Sequence, residues 1–403
     1  MSPLRGIKVI DLSKVLAGPL CAQYLGDLGA EVIKIEPPVH GDDTRAWLPL
    51  RGGESASFMA VNHNKKSIAL DLKSPKGMQA FRRIIADADV IIQGFGAGTA
   101  QRLGVDYDSI KALVPDIIYC EISGYGRDGP LGAEPGYDVM LQAFSGMISS
   151  IGQAGGDPAR VSFSPVDLGT GMHAVSGILA AVLEKRLSGQ SAYVEVSLLD
   201  TAMGYMGYMA HNYWASGKVP ARMGTAHPSL CPYQVFDTQD GSIMLGVGND
   251  RLWKKFCESA GLQEYENDPR FSTNAERVAN FQATCDLVAE RMRMRTTADW
   301  LQTLRAAGVP VSPIHTLADA LEHEQVCARN IVVKSEHATL GEVSHIAYPV
   351  TLNNQPREAK LPPPVLGQHS REILLQAGYC AAEVEALITA GVVEQHTLAP
   401  EPR

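Results

Sequence analysis

The chain has 403 residues, 45% of them hydrophobic, and a formal net charge of −9. That length predicts two domains rather than one small core, and the acidic balance argues against bulk nucleic-acid binding while leaving room for a local basic pocket for phosphates. The seven cysteines are dispersed with no CxxC pair, which argues against a disulfide frame or a zinc site and predicts buried reduced thiols.

The first residues, Met1 to Arg5, run directly into a strand pattern over Ile7–Leu12. A helix over Pro19–Gly29 and a second strand over Glu31–Glu36 follow, which is a βαβ unit and the seed of a parallel sheet. The turn between them, Ser13 to Pro19, lacks GxGxxG, so the Rossmann-like expectation comes without a dinucleotide fingerprint. Lys66–Leu72, Asp89–Ile92 and Ile117–Ile122 read as strands; Pro75–Ala86, Ala100–Leu103 and Tyr107–Leu113 read as helices. Tyr137–Met147 and Thr170–Arg186 follow as helices, the second apolar almost all round, then a strand over Val194–Leu198 and a methionine-rich helix over Leu199–Ala215.

Composition shifts around Lys218–Pro220. Beyond it, Tyr233–Phe236 and Ser242–Leu245 flank a turn at Asp240-Gly241 as a hairpin, and helices are predicted at Arg251–Ala260, Asn280–Met292 and Thr297–Ala307. Asn330–Pro363 reads as strand-rich, Ser370–Ala377 and Ala381–Ala390 as helices, and Thr397–Arg403 as a frayed end. The expected fold class is α/β: a Rossmann-like large domain built from 1–217 and 329–403, with a small α+β domain and its linkers over 218–328. No leader pattern precedes the first strand and no apolar run reads as long enough to cross a bilayer, so the expected location is cytoplasmic.

Among chemical motifs, Ser162 to Gly171 stands out, because Asp167 sits at the mouth of an apolar helix. By composition alone Asp167 reads as a helix cap. Gly169 and Gly171 weaken that helix start, which predicts close approach of a ligand. The loop Gly124 to Gly136 reads either as a structural turn or as a wall around a small molecule. Lys73, Arg102 and Arg222 each read as solvated charges. No HxxxH or HExxH pairs the histidines, and no GxSxG marks an α/β-hydrolase serine, so no metal is expected.

Several of these pieces recur together in one family. Gly18-Pro19, Leu28–Pro37, Gly41–Arg45, Asn62–Ile68, Gly136-Tyr137-Asp138 and Asp167–Gly171, in this order over essentially the whole chain, resemble the class III CoA-transferases. That family includes formyl-CoA transferase, carnitine CoA-transferase and the 2-methylacyl-CoA racemases. Within it, Gly224–His227, Val309-Pro310, Pro362–His369 and Gly391–Val393 are similar to the succinyl-CoA:glutarate (hydroxymethylglutarate) CoA-transferases.

The resemblance turns Asp167 from a cap into the carboxylate nucleophile of a transferase that passes CoA through an aspartyl-CoA thioester. It implies succinyl-CoA as donor and a short dicarboxylate such as glutarate as acceptor. Backbone N–H groups near Asp167 and Gly171 would then stabilise the oxyanions. CoA, a substrate rather than a resident cofactor, would lie along Leu16 and Ala17, Leu70, Leu72 and Lys73, and Gly94, Phe95 and Gly96. Arg102 would meet its nucleotide end, and Gly136 and Tyr137 its thioester end. Pro37 departs from the CoA-contacting arginine of formyl-CoA transferases, and Thr225–Ser229 replaces their glycine-run lid. Racemases of the family carry a histidine at the position of Tyr137, so the tyrosine favours transfer over α-proton abstraction. A racemase or isomerase, or a CoA-binding protein without turnover, is the alternative. Arg45, Arg222 and His227 are the candidates for the acceptor acid, the arginines because a guanidinium grips a carboxylate through two parallel bonds; the rival role for either arginine is an intersubunit salt bridge. By the same resemblance the partner is a second copy of the chain, interlocked as linked rings through the segments near Lys218 and Ala328.

Overall fold

The computed structural model describes residues 2–396, so the expected frayed end at Thr397–Arg403 lies outside the described residues. The chain divides into two units, one of 1–146, 161–211 and 324–403, the other of 147–160 and 212–323.

The larger unit is built on a seven-stranded sheet. Six strands run in chain order as β1 Lys8–Asp11, β2 Glu31–Glu36, β3 Lys66–Leu70, β4 Val90–Gln93, β5 Ile118–Ser123 and β6 Tyr193–Ser197. Their spatial order is 3-2-1-4-5-6, all parallel, with Val393–Glu394 adding an antiparallel edge beside β3. That is the doubly wound order whose direction of growth reverses between β1 and β4. The central strands are apolar on both faces, as Val9, Ile10, Ile33, Ile91 and Ile118 show, because helices cover the sheet.

Five helices of this unit position the site. They are α1 Ala17–Asp27, α2 Pro75–Ile84, α3 Asp138–Phe144, α4 Pro165–Ser188 and α5 Leu198–Tyr205. Helix α2 starts conventionally: Pro75 takes the first turn and the Ser74 hydroxyl accepts the Gly77 amide at 3.0 Å. Helix α4 has Pro165 at its start and Gly189 at φ 76° to stop it, but Ser164 makes no side-chain cap.

Several boundaries differ from those read in the sequence. Helix α4 begins at Pro165, five residues before the predicted Thr170, so Asp167 lies inside its first turn. The predicted Tyr137–Met147 helix is two, α3 and Met147–Ser150, and the predicted Leu199–Ala215 helix breaks into α5 and Gly207–Ser216. Within Asn330–Pro363 the strands are confined to the hairpin Val332–His337 with Gly341–Ile346. The expectation of no bilayer-length apolar run also fails. Helix α4 is 24 residues long and contains an 18-residue stretch of mean hydropathy 1.5, but it packs on α1, β5 and β6, and half of that stretch is buried in the fold.

The second unit pairs Tyr233–Asp237 with Ser242–Gly246 in the predicted hairpin and adds Val311–Pro313. Helices Asp250–Ala260, Phe281–Met292 and Thr297–Ala306 close over a core containing Trp253, Phe256 and Trp300. Its boundary corrects the expected one, because 147–160 belong here and not to the large domain. Arg222 holds them: Nε donates to the Gly156 carbonyl at 2.9 Å and Nη1 to that of Ser149 at 3.2 Å, while the Gly224 amide donates to Gly152 at 2.8 Å. Five of the cysteines are buried, and Cys327 and Cys380 are exposed.

Candidate active site

A cavity of about 610 Å³ opens at the carboxyl ends of the parallel strands. Its walls are Leu12–Gly18 after β1, Ile35–Pro37 at the end of β2, Leu70–Lys73 after β3, Gly94–Ala97 after β4, Ile122–Gly124 at the end of β5 and Leu198 after β6. Ala133–Tyr137 and Asp167 also line it, with Asp43, Thr99, Leu103 and Arg127. Ligands of open parallel sheets bind here, where the strand order reverses.

One side of the cavity rests on a buried ionic cluster. Lys65 Nζ donates to Asp11 Oδ2 at 2.9 Å, to Asn62 Oδ1 at 2.8 Å and to the Pro19 carbonyl at 2.8 Å. Lys34 Nζ meets Asp42 Oδ2 at 2.9 Å and the Ser13 carbonyl at 2.9 Å. Asp42 accepts the Thr44 amide at 3.0 Å and the Val15 amide at 3.2 Å. Val15 has φ 71°, a strained value for a β-branched residue, and the Asp42 carboxylate helps fix it there. Burial works against the Asp42 carboxylate, but Lys34 and the Thr44 amide outweigh it and hold the pKa down at about 2. Lys65 is pushed down to about 8 by burial, despite Asp11.

The other side of the cavity is different. Asp138 is buried, and its Oδ2 accepts the amides of Val166 at 2.7 Å and Asp167 at 3.0 Å. Its Oδ1 accepts Gln142 Nε2, and Gln142 Oε1 accepts the Val161 amide at 2.9 Å. Asp138 therefore caps α4 from another helix, and the capping role read for Asp167 belongs to it. Asp167 is raised to about 7, first by burial and then by the charge of Asp138. Among the described residues no cation pairs with it. Of the amides expected near Asp167 and Gly171 to serve an oxyanion, those of the two residues themselves are engaged. The first is spent on Asp138, and the second is the seventh residue of α4, within the helical ladder.

The glycines after Asp167 answer to packing, not to a ligand. A Cβ on Gly169 would lie 1.7 Å from the Tyr205 hydroxyl, and one on Gly171 would lie 2.6 Å from the Ala17 carbonyl. They let α4 press against α5 and α1.

Of the residues singled out in the sequence, Leu16, Ala17, Leu70, Leu72, Lys73, Gly94, Phe95, Gly96, Gly136, Tyr137 and Asp167 all line the cavity. Arg102 lies off its lining, beside it, with Nη2 donating to Thr99 at 2.7 Å. Arg45 also lies off the lining. Its Nε and Nη2 grip the Glu36 carboxylate at 2.7 and 2.8 Å, Nη2 reaches the Pro364 carbonyl, and the guanidinium lies 3.7 Å over the Phe58 ring. So engaged, Arg45 ties β2 to the returning tail and is corrected from substrate reader to architecture. Arg222 and His227 belong to the second unit, where the His227 Nδ1 accepts the Ser229 amide at 3.0 Å.

The sequence reading missed Lys14, Val15, Asp43 and Arg127 on the cavity wall. Arg127 donates to Glu121 and, at 2.7 Å, to the Phe95 carbonyl, so it braces the loop after β4. Its place in the glycine-rich loop was the available signal.

Comparison with known proteins agrees with this architecture. Residues 4–370 match the model of CoA-transferase family III. The human succinyl-CoA:glutarate CoA-transferase is 38% identical over 398 residues, covering 98% of this chain and 91% of that protein. The acetyl-CoA:oxalate CoA-transferase of Acetobacter aceti is 39% identical over 334 residues, covering 83% and 86%. A crystal structure of a CAIB/BAIF family protein from Brucella suis superposes with a TM-score of 0.82 at 36% identity, covering 93% of this chain and 99% of that one. The chain is thus a member of CoA-transferase family III, an enzyme of the transferase class that uses acyl-CoA as a substrate.

Proposed function

We propose that this enzyme moves CoA from succinyl-CoA to a short dicarboxylate such as glutarate through a thioester on Asp167. The observation that carries the reading is an aspartate without a counter-ion on the wall of the switch-point cavity, its pKa lifted to about 7. The Asp167 carboxylate attacks the thioester carbonyl of the donor and expels CoA thiolate, leaving a mixed anhydride. The thiolate attacks the aspartyl carbonyl and releases the donor acid, leaving aspartyl-CoA. An acceptor carboxylate then displaces the thiolate to form a second anhydride, and the thiolate returns to the acceptor's acyl carbon, freeing Asp167. Charge is conserved at each step and no proton moves, so no acid–base pair is needed. Leu16, Ala17, Lys73 and the Gly94–Gly96 loop hold CoA, Arg102 meets its nucleotide end, and Tyr137 packs beside the thioester.

Asp167→Asn and Asp167→Ala should lower transfer by more than about a thousandfold. In the wild type, incubation with succinyl-CoA alone followed by borohydride should reduce the Asp167 side chain, visible as a peptide mass change. An unmodified peptide from enzyme shown to turn over would count against the covalent route. Because attack needs the ionised form, activity should be lost as pH falls below about 7.

Dicarboxylate preference rests on the glutarate-named relatives and is tested by kcat/KM for glutarate against butyrate, which differ in the distal carboxylate. Arg222→Lys is the variant to pair with that comparison, with His227→Ala beside it. The reading also includes a cytoplasmic homodimer. Met140 and Phe144 on α3 and Met172, Leu183 and Leu187 on α4 are exposed apolar side chains that a second copy would cover. Light scattering should give twice the chain mass of 43.3 kDa.

A further inference from the structure

In a helix whose first residue is preceded by Ser, Thr or Asp, that preceding side chain satisfies the free amides of the first turn, and an acid at the third position often folds back toward the backbone. Helix α4 does neither. Ser164 makes no cap, Asp167 occupies the third position, and both nearby amides are taken by Asp138, 28 and 29 residues away. With those amides occupied, the Asp167 carboxylate is left to the cavity wall, where it lies.

We propose that Asp138 is a positioning residue for the transfer reaction, aiming Asp167 through the two amides and holding a second negative charge beside it that is relieved when Asp167 is acylated. The inference rests on the reading of Asp167 as nucleophile. Its physical content is a repulsion present only while Asp167 is ionised. Protonating Asp167 and converting it to the CoA thioester both discharge the same carboxylate beside the same neighbour. The charge of Asp138 must therefore favour both, and by a similar factor.

The charged groups on the other elements packed on α4 are engaged elsewhere. Helix α5 carries Tyr205, with its Oη donating to the Pro165 carbonyl, and Asp200, bonded to the Ser197 hydroxyl. Asp27 of α1 is bonded to His63 and Asn64. Glu121 of β5 pairs with Arg127, and Glu195 of β6 accepts the Arg127 amide. Burial raises Asp167 first, and the charge that adds to it is that of Asp138.

The test uses the full-length enzyme with Asp138→Asn and with the double variant Asp138→Asn/Gln142→Glu. Asparagine keeps one oxygen for the two amides but turns an NH2 toward the Gln142 amide. Glutamate at 142 restores an acceptor for that NH2 and for the Val161 amide but returns a carboxylate to the pair, so the double variant should fold and should shift the limb and the thioester fraction less than Asp138→Asn does. Two quantities are read: the acidic limb of the pH–rate profile, and the fraction of enzyme carrying CoA, by intact mass after acid quench at a fixed succinyl-CoA to succinate ratio.

The expected result is an acidic limb lowered by about one unit, accompanied by a roughly tenfold fall in the thioester equilibrium, since one pKa unit is a factor of ten. Folded Asp138→Asn with an unmoved limb and an unchanged thioester fraction overturns the proposal, as does a limb that moves while the thioester fraction does not. Asp167→Asn run alongside separates the two readings. If it still accumulates thioester, the nucleophile assignment fails; if it is inert while Asp138→Asn behaves as wild type, only the positioning role fails.

Discussion

The two sides of the cavity treat carboxylates in opposite ways. Under the turn after β1, Asp11, Glu36 and Asp42 are buried, and burial alone would raise them, yet each is held below its ordinary value by a lysine or arginine. Across the cavity Asp167 is half-buried, its neighbour is another carboxylate, and it is raised to about 7. The deeper carboxylates are the ones held low, so depth does not explain the difference; the counter-charge does. The first arrangement fixes a backbone, including the strained Val15, and the second leaves one charge unsatisfied and available for reaction. Stability is supplied on one side and given up on the other.

Removing Asp42 should have the largest effect. Asp42→Ala leaves Lys34 with its head group inside the protein, with Asp11 at 3.9 Å and the charge of Glu36 as its remaining carboxylate neighbours. Breaking a buried pair by removing one partner costs about 3–5 kcal/mol. Release of the Val15 amide should also raise KM for acyl-CoA, because that residue lines the cavity. The pair's own pH dependence has a fixed sign. Asp42 is lowered from 3.8 to about 2, so its contribution is present above the unfolded value and lost as pH falls through about 2. Denaturant melts of wild type and variant should converge toward that end of the scale. Melts that remain parallel there would place the stabilisation elsewhere.

Asp167→Asn should move stability the other way. A carboxyl raised from 3.8 to about 7 favours the folded state below the unfolded value and loses that advantage as pH rises through about 7. Asparagine carries no such charge, so the inactive variant should be more stable than wild type by about 1–3 kcal/mol at pH 8, after allowance for residual solvent screening. The gap should close near pH 4. Equal melting temperatures at both pH values would mean that Asp167 is better solvated than its surroundings indicate.

How much of this was legible in the sequence depends on the range of the interactions. The βαβ opening and the hairpin at Asp240-Gly241 were legible because strand and turn patterns are local. The buried cluster was not: Lys34 looks like an ordinary polar residue within a strand and Lys65 like one just before the next; the parallel register that sets Lys34 beside Asp11, and the reach of the Lys65 side chain to the same carboxylate, enclose them. The attachment of 147–160 to the second unit depends on Arg222, some seventy residues away, and no local pattern announces it. Asp167 itself was read first as a cap. That reading was sound for its position, but the capping carboxylate comes from Asp138 across the fold.

The smallest expected effect concerns Gly169. In a helix, Gly→Ala gains about 1 kcal/mol by propensity, so an unconstrained site would be stabilised. Here the new methyl would lie 1.7 Å from the Tyr205 hydroxyl and 3.0 Å from the Thr201 methyl. Tyr205 is 40% exposed and can swing aside, giving up its 3.2 Å bond to the Pro165 carbonyl at the start of α4. The propensity gain and the displacement should nearly cancel, leaving Gly169→Ala within about 1 kcal/mol of wild type. The consequence for the comparison is positional: a shift at Pro165 disturbs the turn that carries Asp167, so kcat should fall severalfold while KM for acyl-CoA stays put. Pairing it with Tyr205→Leu removes the obstructing ring and should recover the stability that propensity promises. If instead Gly169→Ala raises KM and the leucine partner changes nothing, the glycine is making room for a ligand, and the first turn of α4 is part of the binding wall.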